Sequence, residues 1–298
     1  MNVSRRMLLC AAAVAALVSS APASACSVCG CGDPLLAASD PGALSGRMRL
    51  GLETEYLNVK SGSPADKLDQ YTLRLNAVYS PLARLSVIAQ LPFTRKDLNN
   101  ADGSGSNLSG LGDVEVGARY TVVDLPDFAK QGRQTFAVSA GTSLPTGARS
   151  ATFPGHEVDE HGQLGTGSWG PYAGLHYRFE RKQWTGFASV TGRLRSTNSD
   201  QYHYGNALLW SVHGEYWLHP KLALDLGVDA RHAAADTQAA VAMEDTGGTV
   251  LATSPAIYWN AAGPVWFTVR AQLPFYSHLF GVQSVGPTVV AGFQYQVF

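Results

Sequence analysis

The sequence predicts an all-β protein: one antiparallel barrel of about twelve strands that crosses a membrane with strands instead of helices. Three observations predict it. From Gly46 onward the chain breaks into segments of about ten to fifteen residues in which polar and apolar side chains alternate, the period of a two-faced strand. The connections alternate between short and long, the rhythm of turns on one side of a membrane and loops on the other. Hydrophobic residues make up 45% of the chain against 15% charged, yet past the N-terminus no run long enough for a helical span occurs. The formal net charge of -1 leaves no basic surplus for phosphates, so no nucleic-acid partner is expected.

The N-terminus comes first in the chain and has its own logic. Residues 1–25 read as a secretory signal peptide, with Arg5 and Arg6 before the apolar stretch Leu8 to Val18 and an Ala23-Ser24-Ala25 cleavage site. Ser4-Arg5-Arg6-Met7-Leu8-Leu9 also fits a twin-arginine signal, so the export route stays open. A Cys-rich periplasmic segment, residues 26–45, would follow, and the barrel would occupy residues 46–298.

Twelve segments follow, near residues 46–59, 69–80, 84–97, 111–124, 134–146, 167–180, 183–196, 206–219, 222–235, 249–262, 265–278 and 284–298. The fourth sets Val114, Val116, Ala118, Tyr120 and Val122 on one face and Asp113, Glu115, Gly117, Arg119 and Thr121 on the other. One face suits lipid and the other suits water. The eighth opposes Leu208, Trp210, Val212, Tyr216 and Leu218 to Ser211, His213 and Glu215. The ninth opposes Leu222, Leu224, Leu226 and Val228 to Asp225 and Asp229.

Short turns follow segments two, six, eight and ten, around Pro81, Arg181-Lys182, Pro220 and Gly263-Pro264. Longer polar loops follow segments one, three, five, seven and nine, the longest from about Thr146 to Thr166. The connection after segment four, Leu125 to Arg133, is longer than this rhythm predicts, and the one after segment eleven is shorter. An even strand count places both termini on the periplasmic side of a bacterial outer membrane. The terminal Phe298 suits the last strand of such a barrel, although Val289, Ala291, Phe293, Tyr295 and Val297 run one residue out of phase with it.

A soluble β-sandwich or lipocalin-like barrel also alternates, but with its polar set outward. Here the set assigned inward holds Arg47, Arg49, Glu53, Glu55, Arg74, Asp113, Glu115, Arg119, Arg178, Arg193, Arg195, Glu215, Asp225, Asp229 and Arg270. So many charges need water or mutual pairing, because burying an unpaired ion costs several kcal/mol. Alternation alone does not separate the two; strand number, loop rhythm, the signal peptide and the terminal Phe together favour the membrane barrel.

The chain resembles the outer-membrane proteins grouped as the MetA-pathway-of-phenol-degradation family, also described loosely as transporters. The resemblance is carried by Gly110-Leu111-Gly112-Asp113-Val114-Glu115-Val116-Gly117-Ala118-Arg119-Tyr120, Leu144-Pro145-Thr146-Gly147 and Gly165-Thr166-Gly167-Ser168-Trp169-Gly170, and it covers most of residues 46–298. It implies an outer-membrane barrel through which small, aromatic or hydrophobic molecules pass. The Cys-rich start is not part of the family's usual pattern.

Candidate chemistry is sparse. Cys26, Cys29 and Cys31 remain after Cys10 leaves with the signal. Their close spacing suits a soft ion, Cu(I) or Zn(II), the only cofactor the sequence suggests. A lipid anchor on Cys26 and a disulfide with one free thiol stand as alternatives. His156 and His161 flank acidic residues in the longest loop and are further candidate metal ligands, against the plainer reading of a solvated acidic loop. His176 and His213 fall on inward faces and suit a lumenal hydrogen-bond network. Ser211 and His213 share one face at a spacing of roughly 6 to 7 Å along a strand, too far for direct proton transfer. No G-x-S-x-G, Walker, dinucleotide or H-E-x-x-H motif occurs, so no enzyme is expected.

The expected function is passive passage of small solutes through a lumen lined by Arg49, Glu53, Arg74, Glu115, Arg119, Arg178, Arg193, Glu215, Asp225, Asp229 and Arg270, gated by the longest loop. Outer-membrane lipid and a small-molecule solute are the expected partners. A metal-handling protein using the cysteines with a periplasmic redox or metal partner, and a structural barrel without transport, are the alternatives.

Overall fold

The computed structural model describes residues 48–61, 66–99, 105–127, 132–149, 152–153, 156–157 and 160–297. Residues 1–25, expected as a signal peptide, the cysteines at 26, 29 and 31, Arg47 and Phe298 lie outside the described residues.

Twelve antiparallel strands close into a barrel. In chain order they are β1 (Met48–Ser61), β2 (Asp66–Leu82), β3 (Leu85–Asn99), β4 in two pieces (Gly105–Leu111 and Glu115–Asp127), β5 (Gly132–Ser143) and β6 (Gly170–Arg181). Then come β7 (Trp184–Arg193), β8 (Ala207–His219), β9 (Leu222–Ala233), β10 (Gly248–Ala262), β11 (Val265–Leu279) and β12 (Thr288–Gln296). Each strand pairs with its chain neighbours. The seam joins β1 to β12 from Arg49↔Gln296 to Tyr56↔Val289, so the ladder has no free edge there.

The period of two decides which side chain faces where. On β8, Ala207, Leu209, Ser211, His213 and Glu215 are buried inside, while Leu208, Trp210 and Val212 are exposed outside. Around the barrel the exposed large residues are apolar and the buried ones include Arg74, Glu115, Arg193, Asp229 and Arg270. This is the inverse of a water-soluble barrel and the pattern of a lipid-facing one. Exposed aromatics form two levels. Tyr79, Tyr120, Trp184, Trp259, Phe267 and Tyr295 stand near the short-turn end, and Tyr71, Phe93 and Phe275 near the loop end. Tyr71 and Tyr79 are eight residues apart on β2, roughly 20 Å along the axis of a tilted strand, close to the height of a bilayer's apolar band.

Tight hairpins close the short-turn end. Lys182 (φ 50) and Gly263 (φ 48) supply the left-handed residue such turns require. Three departures from the sequence-based expectation appear. The β4–β5 connection is short, because β4 runs on to Asp127 and β5 resumes at Gly132. On the opposite side β5 stops at Ser143 and β6 starts at Gly170, so the wall is lower there than expected. Finally, β4 begins at Gly105 and is broken at 112–114. Pro92 on β3 has no N–H to offer the ladder, and the single bond across the break runs from Gly112 N to Pro92 O (3.0 Å).

Candidate functional site

Two polar structures occupy the barrel: a lattice of charges at mid-height and a loop folded into the mouth. In the lattice, Arg193 donates to Glu115 (2.5 Å), Arg74 meets Glu55 (3.4 Å) and Arg178 donates to Glu180 (2.6 Å). His213 lies between two carboxylates, Nδ1 at 2.7 Å from Asp225 and Nε2 at 3.0 Å from Asp229. Asp229 also accepts from Ser254 (2.5 Å) and Gln272 (2.9 Å), and Arg270 donates to Tyr258 Oη (3.1 Å). Glycines in the wall make room for this packing. The His213 ring covers Gly227, and Tyr172 Oη tucks against Gly117 and Gly141, where a Cβ would collide with it. Arg193 in turn lies 5.3 Å over the Tyr172 ring.

These contacts pair several of the lattice's charges, as burial at this depth demands. The lattice also leaves polar atoms of both kinds unsatisfied. Arg270 Nε and Nη1 and Arg178 Nη2 are donors without a protein partner, and Glu53 Oε2, Asn76 Oδ1 and Glu215 Oε1 are acceptors without one. Leaving such a group unsatisfied costs about 1–3 kcal/mol, so water or another small hydrogen-bonding molecule suits this space.

The mouth is filled by two described stretches of one loop, residues 144–149 and 160–169. Asp113, sitting in the break of β4, accepts from Gly147 N (2.9 Å), Thr166 N (2.8 Å) and Thr166 Oγ1 (2.5 Å). The two limbs of the loop cross at Gly147 and Gly165 so closely that a Cβ on Gly165 would lie 2.5 Å from the Gly147 carbonyl oxygen. At the tip is one 3-10 turn, Glu160–Gly162. Lys96, buried on the inner face of β3, donates to the carbonyls of His161 (2.7 Å) and Gln163 (2.6 Å). Glu160 takes Arg149 (2.6 Å), Asn198 (3.2 Å) and Tyr204 (3.1 Å).

Two neighbouring loops lock over this turn. His161 Nε2 lies 2.7 Å from Asp236 Oδ2 and 3.0 Å from Tyr202 Oη, and Tyr202 donates to the same carboxylate (2.7 Å). Gly205 N donates to Asp236 Oδ1 (2.6 Å). Burial pushes the Asp236 carboxyl up, but these donors outweigh it and hold it below the usual carboxylate range.

Between lattice and plug lies a small vestibule lined by Gln70, Thr72, Arg74, Thr94, Lys96 and Tyr204, with about 40 Å³ open to water. That admits a few waters. An apolar cavity that takes benzene is about 150 Å³, so an aromatic molecule would have to displace the plug.

Arg49, Glu53, Arg74, Glu115, Arg119, Arg178, Arg193, Glu215, Asp225, Asp229 and Arg270 are all placed on inward faces of their strands. Asp113 and Arg195, expected as lumen residues of strands, lie outside the regular ladder: Asp113 grips the plug, and Arg195 reaches Ser143 (3.3 Å) from the loop after β7. His161 serves the loop lock, and His156 pairs through its backbone with Phe153. Among the described residues no cluster of three or more His, Cys, Asp or Glu is placed to hold a metal. Ser211 bonds Ser189 (2.8 Å) and His176 bonds Ser139 (2.8 Å). Sequence reasoning missed Lys96, Asp113's grip, Tyr202, Tyr204 and Asp236. Lys96 was within reach, as an inward cation on a strand, but nothing in the local pattern marks Asp236.

A family model described as "Putative MetA-pathway of phenol degradation" matches residues 42–277. Among solved structures the fold is similar to an outer-membrane channel from Pseudomonas putida F1 (14% identity, TM-score 0.70), covering 86% of this chain and 98% of that one. It is also similar to the beta domain of a Bordetella autotransporter (11% identity, TM-score 0.50), covering 85% of this chain and 100% of that one. At these identities the likeness is one of fold. No curated protein matches the chain.

Proposed function

We propose, from the premise that the chain belongs to the family described as "Putative MetA-pathway of phenol degradation", that it is a passive outer-membrane channel for small aromatic or hydrophobic solutes. The observation that carries this reading is a closed barrel, apolar outside and charged inside, whose mouth is filled by a loop pinned to the wall at a few points. The family description supports the solute class, and the fold shared with the Pseudomonas channel supports the membrane. In this reading the loop end faces outward and both termini face the periplasm, because the short turns and the chain ends share one side of the barrel.

Passage then depends on the plug. A solute larger than the vestibule lifts the Glu160–Gly162 turn off Lys96 and meets the lattice below, where cations and carboxylates are interleaved, among them Arg193 with Glu115 and Arg74 with Glu55. No covalent step is involved: Ser211 and His213 are each bonded elsewhere. The reading is tested by uptake of a radiolabelled monoaromatic at low concentration into Gram-negative cells with and without the chain. Uptake is expected to rise several-fold with the chain and further with Lys96→Met. Equal uptake in all three would overturn it. Surface labelling of a cysteine placed at Val241, in the loop after β9, tests the orientation separately.

A further inference from the structure

The outer surface of the tall side of the barrel carries a grid of side chains that the channel reading does not use. On β1, β2 and β3 three rows of cross-strand partners face outward just beyond the upper aromatic level. The lowest is Tyr56–Tyr71–Arg95, the next Asn58–Asp69–Asp97, and the highest Lys60–Lys67–Asn99. Like charges directly opposite on neighbouring strands repel, and the top row sets two lysines opposite each other. The carboxylates between the cations are already engaged: Asp69 accepts from Tyr56 (2.7 Å), Asn58 (2.7 Å) and Lys67 (2.6 Å), and Asp97 from Arg95 (3.1 Å). Lys60, Lys67 and Arg95 are exposed. Three cations against two committed carboxylates leave the grid short of negative charge.

Its height says what supplies that charge. Lys67 lies four residues beyond Tyr71, roughly 10 Å along the barrel axis, which is the depth of the headgroup layer above the hydrocarbon. Arg95 stands level with the aromatic ring itself. Behind the grid the wall is stiffened by an inward row of Leu98, Leu68, Val59 and Val285. Beside the grid, β4 presents Gly105, Asn107 and Ser109 to the same rows, and elsewhere among the described strands the outward residues include His232, Thr249, His278 and Ser284, so Lys and Arg gather in this one sector.

We infer that this sector binds the phosphorylated sugar headgroup of an outer-leaflet glycolipid, with Lys60 and Lys67 on its phosphate and the Tyr56–Tyr71 pair, 5.0 Å apart, against its sugar. The inference rests on the orientation proposed above, which puts the loop end in the outer leaflet. The test uses the full mature chain in detergent, where binding does not depend on that orientation, and compares affinity for bisphosphorylated lipid A, dephosphorylated lipid A, phosphatidylglycerol and inorganic phosphate. The expected result is a preference of roughly tenfold or more for bisphosphorylated lipid A over the other three, lost in Lys60→Gln/Lys67→Gln/Arg95→Gln and kept in Lys182→Gln at the opposite end. Equal binding of phosphorylated and dephosphorylated lipid A would overturn it. So would equal binding of phosphatidylglycerol or free phosphate, or an unchanged preference in the triple variant. If the preference holds while Val241 proves inaccessible on cells, the orientation fails and the site does not.

Discussion

The lattice at mid-lumen and the plug above it are both buried and polar, but they are tied in opposite ways. Lattice contacts run from side chain to side chain, between residues whose positions the strand register already fixes, as Arg193 and Glu115 show. Plug contacts add to their side-chain pairs a set that runs from a side chain to another segment's backbone: Lys96 to two carbonyls, Asp113 to two N–H groups, Asp236 to Gly205 N. The difference separates two jobs. Fixed walls hold the lattice in place whatever passes, whereas a loop held by a few points can leave as a unit once those points are released.

The largest effect is expected where the lattice is broken on one side. Glu115→Ala leaves the Arg193 guanidinium buried without its carboxylate and should cost about 3–5 kcal/mol in denaturant unfolding of the barrel. The Glu115→Leu/Arg193→Met double variant should recover most of that loss, because replacing a buried pair by apolar groups is often close to neutral. If the single variant is as stable as the wild type, the lattice is not the fixed wall described here.

Lys96→Met comes next and should separate the two regions. It removes two charge-assisted bonds of about 1.5–3 kcal/mol each from the plug alone, so loop proteolysis should rise sharply while global unfolding shifts little. Gly165→Ala is a milder probe of the same loop. Its methyl group meets the Gly147 backbone and should displace the limbs at a cost of about 1–3 kcal/mol, read as faster cleavage near residues 144–169.

The smallest effect concerns acid. Because the Asp236 carboxyl is held below its usual range, the loop lock is complete above the unfolded value of about 3.9 and weakens as pH falls through the lowered folded value. Protease resistance of the plug should therefore be flat from neutral pH down to about 4 and fall only below that. In Asp236→Asn the acid-dependent step should vanish. Loss of resistance already near pH 6 would overturn the assignment to Asp236.

The barrel was legible in the sequence and the plug was not, for a physical reason. A strand's period of two assigns each residue to a face from its immediate neighbours, so Glu115, Arg193, Asp225 and Asp229 could be placed inward without any knowledge of what they meet. Their partners could not be named, since Arg193 and Glu115 are 78 positions apart and come together only through three intervening pairings. The plug has no period at all. Thr146 to Thr166 read as an external gate loop, and its inward course depends on the Gly147–Gly165 crossing and on Lys96 and Asp236, each contributed by a different part of the chain.

The seam between β1 and β12 bears on how the molecule comes into being. Tyr56 pairs with Val289, so the first strand waits for nearly the whole chain before one of its edges is covered. Until then β1 and β11 each present a row of open backbone groups beside apolar side chains, the combination that draws strands of different chains together. A chain shortened by its last strand should therefore accumulate as insoluble aggregate during export, with its lumen ion pairs and its plug residues all still present in the sequence.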